Sequence, residues 1–135
     1  DHRASSFINM ATTKFDLFKE MTLNENDFIE NKILLKVTKG KKYVDNVPTN
    51  ENEYKYELLA MGRVNDILVV KSPALFVNLE ELKAKKKMLV KTKQIQVNPY
   101  EETKTGQIKW TGTVESIEVV KGQEAKIFDD LFKVE

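Results

Sequence analysis

The chain has no cysteine, and that absence removes disulfides, thiolate metal sites and a cysteine nucleophile together. There is a single histidine, His2, so imidazole acid–base chemistry and histidine metal clusters have almost nothing to work with. No apolar run approaches the roughly 20 residues that would cross a bilayer, and no signal-peptide-like apolar segment opens the chain. These absences point to a cytoplasmic protein outside the membrane. Acidic pairs exist at Glu80–Glu81 and Glu101–Glu102, but no third carboxylate stands at a metal spacing. The Gly40-Lys41-Lys42 triplet lacks the spaced glycine and the Ser/Thr of a phosphate-binding loop. The sequence therefore predicts neither an enzyme nor a cofactor, and function has to come from surface chemistry.

What is present is an uneven distribution of charge. The formal net charge is +1, from 22 Lys and Arg against 21 Asp and Glu, yet the signs are segregated. Residues 32–42 carry five lysines and no acid, and residues 82–100 carry six lysines and no acid. Asp16, Glu20, Glu25, Asp27 and Glu30 precede the first basic stretch, and Glu115, Glu118, Glu124, Asp129 and Asp130 follow the second.

The 135 residues fit one domain over 14–135, preceded by a flexible polar tail over 1–13. Phe7, Ile8 and Met10 give that tail a possible role in self-association. Phe15, Phe18 and Met21 recur at helical spacing and predict a short helix over 14–21. The acidic stretch 22–31 reads as a turn. In KILLKVTKGKKY, Ile33, Leu35 and Val37 alternate with Lys36 and Thr38, predicting a strand with one buried face and a bend or bulge at Gly40. Asp45–Glu53, with a proline and three asparagines, reads as a long flexible loop. Tyr54–Met61 predicts a second strand with Tyr54, Tyr56, Leu58 and Ala60 on one face. Ile67–Lys71 predicts a third, buried on both sides.

Asn78 caps a predicted helix, NLEELKAKKK, whose acids lie near its start and lysines near its end. Met88–Val97 predicts a fourth strand broken midway, Asn98–Gly106 a second loop, and Gln107–Val120 a fifth strand with a phase slip between Val114 and Ile117. Ile127, Leu131, Phe128 and Phe132 predict a C-terminal amphipathic helix over 123–134.

Three strands, a helix and two strands give a mainly β fold with flanking helices. Over residues 32–120 this order resembles the OB-fold, a five-stranded Greek-key barrel with a helix between strands three and four, whose ligand face lies between two long loops. A small, cysteine-free, lysine-rich chain of this order resembles the OB-fold single-stranded-DNA-binding proteins of conjugative plasmids, mobile elements and phages, the enterococcal PrgE type among them. That resemblance implies an oligomer-forming, sequence-tolerant protein of DNA transfer or replication.

Single-strand binding needs cations for phosphates and aromatic faces for bases. Lys39, Lys41 and Lys42 lead into the first loop, Lys55 lies on the second strand, Lys91 and Lys93 on the fourth, and Lys104 and Lys109 border the second loop. In a barrel these are expected to converge. Tyr43, Tyr54, Tyr100 and Trp110 are the stacking candidates, although Trp110 shares a phase with Ile108 and Val114 and so also suits the core. The competing reading of the lysines is a solvated face balancing the acids. Two other functions are compatible with the sequence: single-stranded RNA binding, and a protein-interaction module that docks through its amphipathic ends, including Phe128, Leu131 and Phe132.

Overall fold

The computed structural model describes residues 21–131. The expected tail, and the expected helix over 14–21 apart from Met21, lie outside the described residues, as does Phe132. The fold is mainly β, one eight-stranded sheet in the order β1-β6-β7-β4-β3-β2-β5-β8. Its strands are β1 (Leu23–Asn24), β2 (Asn31–Val44), β3 (Val47–Ala60), β4 (Asp66–Ser72), β5 (Met88–Lys93), β6 (Gln96–Glu101), β7 (Ile108–Thr113) and β8 (Ser116–Val119). Two α-helices, α1 (Leu79–Lys85) and α2 (Gln123–Leu131), complete it, with a short 3-10 helix over Glu25–Asp27.

The sheet is strongly curled, and the connectivity requires this. β5 and β6 lie near opposite ends of the strand order, yet only Gln94 and Ile95 join them. Two residues span at most about 10 Å from one strand to the next, so the sheet must bend until its two limbs meet. Gln94 takes a positive φ of 53° at this corner, and Ile95 there is 1% exposed. The break expected within the fourth strand is this corner. The slip expected in the fifth is the gap between β7, which pairs with β4 and β6, and β8, which pairs with β5. The five expected strands thus become eight, because two are cut by corners and residues 22–31 supply β1 in place of a simple turn.

The inward phase is carried by Leu34, Tyr56, Leu58, Ala60, Leu68, Val70, Val90 and Val97, all fully buried, with Trp110 beside them. The β2 alternation differs from expectation. Leu34 points inward while Ile33 and Leu35 are only half-buried, and a register shift between Leu34 and Lys36 brings Val37 back to the inner phase. One extra residue, Leu35, accounts for the change of phase. Gly40 lies in regular pairing with Glu53, so no bend occurs there. In β4 only Leu68 and Val70 are fully buried and Ile67 is 40% exposed, so β4 is covered on one side only. Asn78 caps α1 as expected, its side chain accepting from Glu81 N at 3.1 Å. In α2, Phe128 faces the protein while Ile127 and Leu131 face outward.

Candidate nucleic-acid interface

The expected loop Asp45–Glu53 is not a loop. β2 and β3 form one long hairpin that turns through only Asp45 and Asn46, both with positive φ (51° and 64°). Two consecutive left-handed residues make the turn that matches the twist of a hairpin, and Asp and Asn are among the residues that tolerate it best. Beyond the barrel this hairpin stands alone. β5 pairs with β2 only over Asn31–Leu34, and β4 pairs with β3 only over Tyr54–Ala60. From Lys39 to Asn52 the ribbon therefore has two open edges and nearly every residue is exposed. Pro48 is tolerated because no strand flanks it to need its missing N–H.

Alternation along this arm sorts the charges. Lys39 stands opposite Tyr54, and Lys41 opposite Asn52, with a 3.0 Å bond from Lys41 Nζ to Asn52 Oδ1. Tyr43 continues the same phase and ends opposite Pro48. The other phase carries Lys36, Thr38, Gly40 and Lys42 on β2, and Glu51, Glu53, Lys55 and Glu57 on β3. Lys42 and Glu51 approach to 3.9 Å on that side. One face of the arm is thus charge-balanced, and the other holds two lysines, two tyrosines and no acid. The acid-free strip begins at the barrel rim, where Val37, Tyr54 and Phe76 pack partly buried against the core. It ends at Tyr43, which is 64% exposed. Among the described residues neither Lys39 nor Lys41 is in an ion pair.

No protein-family model, curated protein or solved structure matches the chain.

The remaining candidates do not converge on the arm. Lys91 and Lys93 lie on β5 in the other limb of the sheet, held by Glu30 at 3.5 Å and Glu115 at 3.8 Å. Lys109 is bonded to Glu102 at 2.6 Å. The hydrogen bond and charge of Lys109 hold the Glu102 carboxyl below its ordinary range, and Glu102 raises the Lys109 ammonium in turn. The turn bearing Lys104 follows β6 and precedes β7, whose start lies beside the Ala60–Asp66 end of the β3–β4 pair, away from the arm. Tyr100 belongs to β6, not to a loop; it is 52% exposed and opposite Lys109 on the outer face. Trp110 is 6% exposed, opposite the buried Pro99, so its ring is core and unavailable for stacking. Lys55 shares the balanced face of the arm, directly opposite Lys71.

Tyr56 anchors the base of the strip. It is fully buried, its hydroxyl donates to Ala74 O at 2.5 Å and accepts from Phe76 N at 3.2 Å, and its ring lies 5.8 Å from that of Phe76. Burial is the main cause that raises its phenol above the usual range. Among the described residues no group of acids and histidines is arranged to hold a metal, and no helix is long and apolar enough to cross a membrane. Asn52 was not among the sequence candidates. Its signal was the two-residue spacing to Tyr54, which is legible only once Asp45-Asn46 is taken as the turn.

Proposed function

We propose that this protein binds single-stranded nucleic acid, foremost DNA, without sequence preference along the acid-free face of its β-arm. The observation that carries this reading is the segregation of charge on one ribbon: every arm acid shares a face with Lys42 and Lys55, leaving Lys39 and Lys41 with Tyr43 and Tyr54 on the other. Lys39 and Lys41 hold phosphates. Tyr43 and Tyr54 offer faces for bases, each stacked base being worth about 1–3 kcal/mol, and Asn52 supplies a neutral donor and acceptor between them.

The OB-fold reading belongs with this proposal. It is supported by the β2-β3-β4 meander, by α1 between β4 and β5, and by β7 running parallel to β4. Support also comes from β5 and β6 acting as one bent strand that touches both β2 and β7. On that reading the arm is the enlarged loop between strands one and two, which flanks the ligand face. A role in DNA transfer or replication of a mobile element, in the manner of the plasmid and phage proteins the sequence resembles, is the corresponding biological proposal. A protein-docking reading rests on a different surface, the outward Ile127 and Leu131 of α2, which are 52% and 74% exposed.

Titration of labelled oligo-dT across a salt series tests the reading. Binding should weaken steeply with salt, and Lys39→Ala with Lys41→Ala should reduce the log–log slope by about 1.4, at roughly 0.7 per phosphate contact on a single strand. Lys42→Ala, on the balanced face, should leave affinity within about twofold. No binding at low salt, or equal effects from both faces, overturns the proposal.

A further inference from the structure

The far end of the arm is apolar. Val44 and Val47 are directly paired across the turn, 51% and 60% exposed, and Tyr43 stands opposite Pro48 just behind them. Nothing in the described residues covers this tip, because the ribbon carries it away from the barrel. The tip is also held rather than loose. Between Lys41 and Tyr43 the register shifts, and the extra residues on β3 are fixed by Thr49, whose hydroxyl donates to Lys42 O at 2.7 Å and accepts from Glu51 N at 3.3 Å. A bulge of this kind re-aims the end of a ribbon and increases its twist. Apolar side chains at a fixed, exposed tip need a partner surface that is itself apolar.

The residues behind the tip indicate which surface. Lys41 and Lys39 follow on the acid-free face at two-residue steps of about 6.7 Å each. A cationic track running directly into an apolar end matches a nucleic acid, where phosphates give way to the flat apolar face of a base pair. It matches an apolar protein groove poorly, since the two lysines would then be brought against it without anionic partners. Proteins that enter a base stack do so with apolar side chains backed by cations.

We infer that the arm recognises the junction between a single strand and a duplex, Val44 and Val47 abutting the terminal base pair while the single strand lies along Lys39, Lys41 and the two tyrosines. This rests on the single-strand reading above and adds a preferred form of ligand to it. The site takes a forked or partly duplex nucleic acid in preference to an uninterrupted single strand.

The test compares three labelled DNAs of equal length: oligo-dT, the same oligo-dT carrying a duplex at one end, and a blunt duplex. A 2-aminopurine at the terminal pair of the junction reports unstacking. The intact protein should bind the junction about fivefold or more tighter than oligo-dT and raise the 2-aminopurine signal, as a wedge against the stack would. Val44→Thr with Val47→Thr keeps shape and strand propensity while removing apolar character. This variant should lose the junction preference and the fluorescence change yet hold oligo-dT as before. If oligo-dT binds but the junction gains nothing, or the preference survives both substitutions, the inference falls and the single-strand reading stands. If neither DNA binds, both fall.

Discussion

At the scale of single residues, the least expected is Lys32. It opens the first basic stretch, yet it is 1% exposed, its ammonium donating to Glu25 at 3.0 Å and to Glu30 O at 3.3 Å. The same Glu25 carboxylate accepts from Thr92 Oγ1 at 2.7 and 3.0 Å and from Ile95 N at 3.0 Å. One acid thus ties the segment before β2 to the corner where β5 becomes β6. Removing one member of a buried pair costs about 3–5 kcal/mol because it strands the other charge, whereas replacing a buried ion by an apolar group of similar size can be far milder. Glu25→Gln should therefore destabilise the fold by about 3 kcal/mol, and Lys32→Met by distinctly less, with urea unfolding as the readout. Equal losses would mean that the ammonium is not left stranded. No periodicity could have identified this lysine as core, since its partner lies in a stretch that reads as an acidic turn.

At the scale of elements, the strands that alternate cleanly were legible from the chain, and the arm was not. Tyr56, Leu58 and Ala60 are buried on one phase as their spacing requires, and α1 starts where Asn78 caps it. The arm eluded the same reasoning because burial is what makes alternation visible, and a ribbon that buries neither face carries no hydrophobic period. Pro48 and three asparagines look like loop composition, although Pro48 sits on open edges and Asn46 serves the turn. The site was legible in its residue types, lysines with tyrosines, but not in its partition, which needs register. The turn gives a direct check. Glycine is favoured at the second position of such a hairpin, where the left-handed φ costs it nothing. Asn46→Gly should stabilise the arm by a few tenths of a kcal/mol and slow amide exchange along Lys39–Asn52, while Asn46→Val should speed exchange there and spare the barrel.

At the scale of the whole molecule, the seam between β6 and β7 closes the structure at the place least tolerant of change. A Cβ on Gly112 would run into the Gln96 carbonyl and press on Val97 across the pair Val97↔Gly112. The obstacle is backbone, so it cannot swing aside. Gly112→Ala should cost several kcal/mol, on the order of other overpacked cores, seen as a large fall in Tm. Gly106→Ala meets no neighbour but strains a φ of 70°, so its loss should stay near about 1 kcal/mol. Barrel closure was only partly foreseeable: the corner at Gln94 and the slip after Val114 were marked by broken alternation, but which limbs they join depends on pairing between strands far apart in the chain.

The arm's sorted faces also constrain how its length can vary. Side chains on a strand repeat every two residues, so the arm has a parity. One residue added to each strand beyond Gly40 and Glu53 would carry Lys41 and Tyr43 round to the side of Glu53 and Lys55, leaving Lys39 and Tyr54 behind. Two residues added to each would restore the alignment and merely lengthen the reach. The barrel would be untouched in both cases, since nothing beyond Lys39 and Asn52 contributes to its core. Homologues with longer or shorter arms would then be expected to differ by even steps.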